Sequence, residues 1–381
     1  MSSLPRITVL GSLNIDLVAY VPHHPQPGET LTSTSFSVSP GGKGANQAIA
    51  CAKLSRSRHH AIAIVTATPP ATATLTSTSH APPTAHVAMV GCVGADSYGT
   101  LLCSNLEAHG VDVSRVDASR TTAAQPPQPL KTGIAMILVD QPTGENRIVL
   151  SPEANHAFRP EEFETSSPFN AATAADDDDL LLRQRLGDPL PDLLVLQLEI
   201  RLDAVLAALR AAKRARIAVL LNPAPAVALP DEALAGLACL VLNETEAAVL
   251  AGCGVAELSG EEALAGLERV AGGLVTRGVE MVIVTLGARG AFYMVAGGRR
   301  GLVPGERAQV VDTTAAGDTF VGRIALEVAG RVRGGKRLTD AQDFDVEAAV
   351  RRANRAAAKT VERMGAQGSI PWRDELDEED A

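Results

Sequence analysis

Aromatic and basic side chains are both scarce in this sequence. Phe, Trp and Tyr make up 3% of the chain, with a single Trp, and 34 Lys and Arg stand against 44 Asp and Glu, for a formal net charge of -10. Nucleic acids and anionic membrane surfaces attract basic footprints, and unpaired bases stack on aromatic platforms. The composition therefore predicts neither a nucleic-acid nor a membrane partner.

Long apolar runs and paired cysteine motifs are also missing. No segment reaches the ~20 uninterrupted apolar residues of a membrane span, and the first residues lack the apolar run of a signal peptide. The five cysteines form no C-x-x-C pair, which favours buried thiols in a reducing compartment. We expect a cytoplasmic protein, with the nucleus as a second compartment. H-E-x-x-H and P-loop sequences are absent as well, so no site of those two kinds is predicted.

Short Val/Ile/Leu runs alternate with Ala- and Leu-rich stretches of helical periodicity. The predicted strands are Ile7 to Leu10, His86 to Val90, Leu193 to Gln197, Ile217 to Asn222, Leu240 to Asn243 and Met281 to Thr285, and the predicted helices are Ala45 to Leu54, Tyr98 to Ala108, Leu202 to Arg214, Glu244 to Ala251 and Glu261 to Ala271. This alternation predicts a three-layer α/β/α fold with a mostly parallel central sheet. Two β-branched stretches without a helix, Asn14 to Val38 and Thr132 to Leu150, predict a small antiparallel sheet attached to it.

Three segments have the composition of solvated additions to this body. Ser55 to Thr84 is dominated by Ser, Thr, Ala, Pro and His, and Ser166 to Pro191 contains four consecutive carboxylates at Asp176 to Asp179. The stretch Asp374 to Asp380 holds six acids in seven positions. Such segments are typical of surface loops and tails. Without these ten acids, 34 acidic residues balance the 34 basic ones, so the net charge is predicted to lie at the periphery.

The most informative motif is Val311 to Phe320, which precedes an apolar-periodic helix. Its small residues Ala315, Ala316 and Gly317 allow a ligand close to the backbone, and first-turn N–H groups attract anions such as a phosphoryl group. Asp318 is unfavourable beside an anion unless it accepts a proton from an attacking hydroxyl. The alternative is an ordinary first-turn acid that complements the helix dipole.

Two further motifs offer polar groups to a ligand. Gly41 to Ala48 contains three glycines before a helix, with Lys43 and Asn46 as a cation and an amide for a polyhydroxy compound. Gly11 to Asp16 places Asn14 and Asp16 just after the first strand, where ligands bind in open α/β sheets. A flexible turn before a helix and a simple turn after a strand are the alternatives for these two motifs.

The ordered set of motifs resembles the ribokinase family of PfkB-type sugar kinases across nearly the whole chain. The matching stretches are Gly11 to Asp16, Pro27 to Glu29, Gly41 to Ala48, Gly91 to Gly99, Gly144 to Asn146, Gln197 to Glu199, Asn222 to Ala226, Asn243 to Ala247, Thr285 to Gly290, Asp312 to Phe320 and Gly365 to Gln367. Each stretch alone is weak evidence, but the complete set in this order is highly specific.

The resemblance implies a role for each matching residue. Ribose-binding positions correspond to Asn14, Asp16, Gly42, Lys43, Gly44, Asn46, Glu199 and Asp318, with Asp318 as catalytic base and Ala315, Ala316 and Gly317 as anion hole. ATP-site positions correspond to Asn243, Thr285, Gly287, Ala288, Gly290, Ala316, Gly317, Asp318 and Asn354. A potassium site corresponds to Asp312, Thr314, Thr360, Arg363, Gly365 and Ser369, and Asn243 with Glu246 forms a motif associated with magnesium and phosphate. For Glu246, a solvated acid on a helix face is the alternative.

The resemblance also implies the reaction and the architecture. The reaction is transfer of the ATP γ-phosphoryl group to the 5-hydroxyl of D-ribose, with Mg²⁺ and K⁺. One kinase domain is expected over residues 5–373, with a β lid built from strands within 16–40 and 112–151 that pairs in a homodimer. The segment 55–84 is then a low-complexity insertion, 166–191 is an acidic loop, and 374–381 is an acidic tail.

Two positions depart from the family, and two other functions stay open. The family commonly has Gly at position 315, although Ala315 still offers its N–H, and some relatives carry His where Asn354 stands near the adenine. A kinase of this family for deoxyribose, fructose or a nucleoside is the first alternative. A catalytically silent sugar- or nucleotide-binding regulator is the second, and retention of Asp318 together with Asn243 and Glu246 disfavours it.

Overall fold

The computed structural model describes residues 4–58, 82–122, 126–164, 180–259, 263–340 and 343–377. Most of the 55–84 segment and residues 166–179 of the acidic segment, including Asp176 to Asp179, lie outside the described residues, as do the last four residues. Residues 180–186 are helical. None of the helices in the described ranges is both long enough and apolar enough to span a membrane.

The main sheet has nine strands in the order β13-β12-β11-β10-β9-β8-β1-β4-β5. Its strands are β1 (Arg6–Leu10), β4 (His86–Cys92), β5 (Asp112–Asp117), β8 (Leu193–Leu196), β9 (Ala218–Leu221), β10 (Cys239–Asn243), β11 (Met281–Thr285), β12 (Ala291–Val295) and β13 (Arg300–Val303). All neighbours from β5 to β11 are parallel, and β12 and β13 add an antiparallel edge. The predicted mostly parallel sheet is confirmed.

Helices cover both faces of this sheet. They are α1 (Lys43–Leu54), α2 (Ser97–Ala108), α3 (Leu202–Arg214), α4 (Asp231–Leu234), α5 (Glu244–Ala251), α6 (Ala256–Ser259), α7 (Ala263–Thr276), α8 (Ala316–Ala329), α9 (Val346–Val361) and α10 (Asp374–Asp377). Successive strand residues point to opposite faces, so Val9 packs in one core with α1, α2, α8 and α9 while Leu10 packs in the other with α3, α5 and α7. The three-layer α/β/α fold predicted from the sequence is the one observed.

A second sheet of four strands stands apart, in the order β3-β2-β6-β7. Its strands are β2 (Asn14–Val21), β3 (Ser35–Gly41), β6 (Gly133–Asp140) and β7 (Asn146–Ser151). The predicted small second sheet is confirmed, but it is mixed rather than antiparallel, because β2 and β6 pair in parallel. These strands belong to distant parts of the chain, so no hairpin forces them to run in opposite directions.

Two expectations at the periphery need correction. Residues 112–117 were expected within the lid but form β5, which pairs with β4 at the edge of the main sheet. The acidic tail is ordered at its start: Asp374–Asp377 form the short α10, and Glu375 pairs with Arg363 at 2.8 Å. Leu376 is 8% exposed and belongs to the core, so apolar burial holds this part of the tail against the body.

Candidate active site

The polar residues predicted from separate motifs meet at the carboxyl ends of the parallel strands of the main sheet. Ser12 and Asn14 follow β1, Glu199 follows β8, Asn243 ends β10 and Thr285 ends β11. These strands are parallel, so their carboxyl ends share an edge, which is where ligands bind in open α/β sheets. The fold thus brings together side chains that are up to 273 positions apart in the sequence, from Ser12 to Thr285.

The glycine turn before α1 packs directly on the end of β1. Gly42 has φ 88, and a Cβ there would lie 2.7 Å from the backbone nitrogen of Asn14. A Cβ at Gly44 would lie 2.6 Å from the nitrogen of Ser12. No residue with a side chain fits these positions without moving the backbone. The glycines therefore serve close packing, and this packing places Lys43 and Asn46 beside the polar end of the strand.

Glu199 and Asn155 fix the residues after β1. The Oε2 atom of Glu199 accepts hydrogen bonds from the Ser12 hydroxyl and from the backbone N–H of Lys43, the latter at 3.0 Å. The Asn155 side chain donates to the Asn14 Oδ1 atom at 2.7 Å and accepts from the Leu13 N–H at 2.8 Å. Asn155 was not singled out by the sequence, since a lone Asn between motifs gives no signal. It holds the amide of Asn14 in one orientation.

Asp318 lies in α8 and is held by a network of buried amides. It is 8% exposed, and its two carboxylate oxygens accept from the side-chain amides of Asn46 and Gln47, each at 3.0 Å. The Gln47 amide also donates to Asn222 at 3.0 Å, and its oxygen accepts from Gln197 at 2.7 Å.

The network also continues from Asn46, whose side-chain oxygen accepts a hydrogen bond from the Gln367 amide at 3.0 Å. Sequence reasoning assigned no role to Gln47, Asn222, Gln197 or Gln367, although each lies in a matching motif. Asn46 and Gln47 satisfy the carboxylate directly, and the other three amides hold these two side chains in position.

Negative charge accumulates around Lys43. Burial, reinforced by Glu199 and Asp318, raises the pKa of the Asp16 carboxyl from 3.8 to about 7. Burial alone would lower the pKa of Lys43, but the carboxylates of Asp318, Glu199 and Glu246 more than offset it, so the Lys43 pKa is raised. Burial also raises the pKa of Glu246. Carboxylates outnumber cations here, and such a site needs added positive charge before it can hold a polyphosphate.

The residues predicted to form an anion hole, Ala315, Ala316 and Gly317, lie at the start of α8. Ala315 has φ 62, the left-handed conformation that favours glycine, and it caps the helix. The N–H of Ala316 donates to the Thr313 carbonyl at 3.3 Å, so it is already used. The N–H groups of Gly317 and Asp318 lie in the first helical turn, where no intrahelical acceptor exists. A strained turn at the start of this helix is typical of a ligand-binding backbone.

The residues matched to a potassium site come together beside this turn. Asp312 accepts from the N–H and hydroxyl of Thr314 through one oxygen and from the Gly365 N–H, at 2.8 Å, through the other. Although burial alone would raise the pKa of Asp312, these hydrogen bonds lower it overall. The Thr360 hydroxyl bonds to that of Thr319 in α8 at 2.9 Å.

The remaining matched positions, Arg363 and Ser369, lie with Gly365 in the segment after α9. Ser369 donates to the Ala366 carbonyl at 2.7 Å, and the Arg363 guanidinium pairs with Glu375 at the surface. Arg363 can therefore contribute only its backbone to an ion. Carboxylate and backbone carbonyl oxygens are ligands of the right kind for a hard monovalent cation.

Asn243 and Glu246 form a reciprocal capping box at the start of α5. Asn243 Oδ1 accepts from the Glu246 N–H at 2.8 Å, and Glu246 Oε2 accepts from the Asn243 N–H at 2.9 Å. The second carboxylate oxygen can accept from a metal-bound water. Within the residues that the structure describes, no three His, Cys, Asp or Glu side chains are grouped closely enough to hold a metal by themselves. A magnesium ion here would keep most of its waters, as this ion prefers.

The predicted nucleotide positions follow β11. The Thr285 hydroxyl donates to the Leu242 carbonyl at 3.4 Å, and Gly287 to Arg289, including Ala288, form a single helical turn. A Cβ at Gly290, which has φ 96, would lie 2.0 Å from the Val303 carbonyl oxygen. The Asn354 amide donates to the carbonyls of Val303 and Pro304 at 3.3 and 3.0 Å. Asn354 therefore ties α9 to the end of β13.

Comparisons with known proteins identify the family of the chain. The pfkB family carbohydrate kinase profile matches residues 4–373. The ribokinase of Schizosaccharomyces pombe is 36% identical over 98% of this chain and 96% of its own length. The deoxyribokinase of Salmonella typhi is 31% identical over 98% of this chain and 97% of its own length.

Solved structures agree in fold as well. The ribokinase of Arabidopsis thaliana, solved with ribose and ATP, matches with a TM-score of 0.69 and 26% identity over 99% of this chain and 98% of its own. The profile match over residues 4–373 and the full-length relatives lead to one conclusion: this chain belongs to the pfkB family of carbohydrate kinases and is a sugar phosphotransferase of ribokinase type.

Proposed function

We propose that the enzyme transfers the γ-phosphoryl group of ATP to the 5-hydroxyl of D-ribose. The observation that carries the proposal is the buried carboxylate of Asp318 at the start of α8, held by amides and electrostatically coupled to Asp16, Lys43 and Glu246. A base next to a helix N-terminus suits an acceptor hydroxyl that attacks a phosphoryl group. The ribokinase relatives, one of which was solved with ribose and ATP, support the sugar and the donor.

Sugar recognition is assigned to Asn14, Asp16, Gly42, Gly44, Asn46 and Glu199. A pentose presents several hydroxyls that both donate and accept, and carboxylate and amide side chains match them in a fixed pattern. Asp16 is suited to either role, because its pKa of about 7 makes both protonation states accessible near neutral pH. Asn155 acts indirectly by fixing the Asn14 amide.

Asp318 accepts the proton of the attacking hydroxyl. The sugar oxygen forms a bond to the γ-phosphorus, the bond from phosphorus to the bridging oxygen breaks, the proton passes to the Asp318 carboxylate and ADP leaves. In a loose transition state the proton moves late, so an Asp need not be a strong base. The Gly317 and Asp318 N–H groups and Lys43 stabilise the charge on the transferring group.

The charge of the site fits two kinds of cation. Carboxylates surround Lys43, and the capping-box residues Asn243 and Glu246 would hold Mg²⁺ through its waters, which would neutralise phosphate charge. The Asp312 loop, with Thr314, Thr360, Arg363, Gly365 and Ser369, would hold K⁺ and keep the start of α8 in place. Thr285, Gly287, Ala288, Gly290, Ala316 and Asn354 are assigned to the nucleotide.

An ATP-coupled assay over ribose, deoxyribose, fructose and nucleosides, with and without K⁺, tests the proposed function. We expect the highest kcat/KM for ribose and an increase when K⁺ replaces Na⁺. Deoxyribose is the second candidate, because a deoxyribokinase is among the full-length relatives. A higher kcat/KM for deoxyribose or a nucleoside would contradict ribose as the substrate, and no turnover of any acceptor would leave only a binding role.

We further propose that the small sheet mediates a homodimer. Val38, Leu17, Met136 and Val149 stand in one cross-strand row by register, and all four are apolar. Met136 and Val149 are 46% and 60% exposed. Side chains of one row point to the same face of a sheet, so this face presents an apolar strip that a second copy would cover.

A further inference from the structure

A cavity of about 370 Å³ lies at the amino-terminal ends of the parallel strands, on the side of the main sheet opposite the active site. Its walls include the first residues of β1 and β4, Arg6 to Thr8 and His86 to Ala88, together with the chain around Gly110 and Gly187. The strands enter the sheet here, whereas Asn14 and Glu199 follow strand ends at the opposite edge. A ligand in this cavity would not compete with sugar or nucleotide.

Arg56 is the feature that makes this cavity a site. It follows α1, is 5% exposed and lines the cavity, and its buried Nε has no hydrogen-bond partner. The guanidinium lies against the chain at Gly110, where a Cβ would come within 1.6 Å of Nη1. Among the described residues no carboxylate pairs with Arg56. Buried charges in proteins are normally paired, since an isolated one is costly, so this guanidinium requires an anion.

Two more guanidinium groups line the same cavity. Arg115 also has a buried Nε without a partner, and its Nη1 lies 3.6 Å from Asp112. Arg6 lines the cavity as well, and over the ranges described no acid lies within ion-pair distance of its side chain. The other carboxylate of the wall, Asp188, pairs with Arg183 at 2.8 Å. Apart from this pair, the cavity wall therefore carries the three guanidinium groups of Arg6, Arg56 and Arg115 and the one carboxylate of Asp112. Their net charge is +2, with His86 left out of the sum.

We propose that this cavity binds a small phosphate-bearing dianion, either inorganic phosphate or a phosphomonoester. The planar guanidinium fork matches phosphate oxygens in bidentate geometry, and a phosphate carries close to two negative charges at neutral pH. The volume falls in the range of small-ligand pockets and exceeds what phosphate alone would fill. The ligand completes a site in which two buried guanidinium nitrogens otherwise lack acceptors.

Thermal unfolding with inorganic phosphate, at pH 8 and constant ionic strength, tests the proposal. Millimolar phosphate is expected to raise the Tm of the wild type by several degrees, because a ligand of the folded state stabilises it. Arg115→Gln should abolish this shift. Arg300→Gln, the same substitution at an exposed arginine of β13, should retain it. Equal shifts in Arg115→Gln and the wild type would overturn the proposal.

Two further variants test whether phosphate binds in this cavity or in the active site, and whether Arg56 has only a structural role. Lys43→Gln should keep the phosphate shift, and loss of the shift in that variant alone would assign the anion to the active site and overturn the proposal. Arg56→Met should lose the shift while its Tm without phosphate is unchanged or higher, because the unpaired buried charge is gone. A shift that persists in Arg56→Met would contradict the proposal.

Comparison of phosphate with glycerol phosphate identifies the source of the anion. A larger shift with the ester, abolished by Arg115→Gln, indicates that the organic part occupies the rest of the cavity. Equal shifts with the two compounds indicate free phosphate. No shift with either compound at millimolar concentration would overturn the proposal.

Discussion

At the scale of single residues, Asp16 combines burial with like charge. Its carboxyl lies close enough to Glu199 and Asp318 for both to raise its pKa, which reaches about 7. A Cβ at Gly41 would lie 2.1 Å from its Oδ2 atom, so the glycine turn leaves just enough space for this side chain. In the ligand-free enzyme, ionisation of the Asp16 carboxyl therefore costs free energy.

This cost predicts how stability depends on pH. A carboxyl whose pKa is raised on folding stabilises the protein below its unfolded pKa of about 4, and this contribution is lost as pH rises through about 7. As the pH rises from about 4 to about 7, the free energy of unfolding of the wild type should fall relative to that of Asp16→Asn. The difference should reach about 2 kcal/mol after allowance for screening. Urea unfolding at several pH values measures the difference. Glu145→Gln, at an exposed lid position, is the control, and parallel curves for wild type and Asp16→Asn would contradict the prediction.

The residues proposed to contact the ligand could be identified from the sequence, whereas those that hold them in place could not. The chemistry of Asp318 and Asn46 can be inferred from residue type and position in their motifs, whereas Glu199 was assigned through the resemblance to the family. Gln47 and Asn155 act only through contacts with residues distant in sequence, Asp318 and Asn14. Such partners depend on tertiary packing, which no local pattern encodes.

At the scale of elements, α5 begins with a cap that doubles as the proposed magnesium motif. The Asn243 and Glu246 side chains each satisfy the other's backbone N–H. Glutamine can replace glutamate in a capping box, whereas alanine cannot. One position therefore allows the structural and the electrostatic roles of Glu246 to be measured separately.

Glu246→Gln should leave the free energy of unfolding within about 0.5 kcal/mol of the wild type, and Glu246→Ala should lower it by about 1 kcal/mol. Both variants should need more Mg²⁺ for half-maximal turnover, because both remove the charge. Urea unfolding and Mg²⁺ titration of the kinase assay give the two quantities. Unchanged Mg²⁺ dependence in Glu246→Gln would show that the carboxylate serves the cap alone.

Elements with continuous apolar runs were predictable, and those with mixed composition were not. Buried parallel strands such as β8 and β11 read as apolar stretches. The edge strand β5 has the sequence DVSRVD and contains no fully buried residue, so its pattern resembles a loop. The direction of β2 against β6 likewise depends on a chain path through the main sheet, which strand composition does not specify.

At the scale of the whole molecule, the small sheet exposes the apolar strip that the proposed homodimer would bury. Phe36, Val38, Met136 and Val149 are each more than 40% exposed. A second copy of the same sheet would bury these side chains on both protomers at once. The dimer would also restrain the lid over the sugar, which excludes water from the phosphoryl group.

Met136→Glu should convert the dimer into a monomer, since an unpaired carboxylate in a buried interface is costly. Light scattering at micromolar concentration measures the mass. The control is Leu264→Glu, the same kind of substitution at an exposed leucine of α7, which should remain dimeric. A monomeric wild type at these concentrations would refute the dimer.

The central claim is that Asp318 takes the proton from the sugar hydroxyl, and turnover of Asp318→Asn tests it most directly. Steady-state kinetics with ribose should show kcat reduced by at least ~10², while calorimetry shows that ribose and ATP still bind with affinities near those of the wild type. Near-normal turnover in this variant would contradict the assignment of Asp318 as the base and, with it, the proposed mechanism.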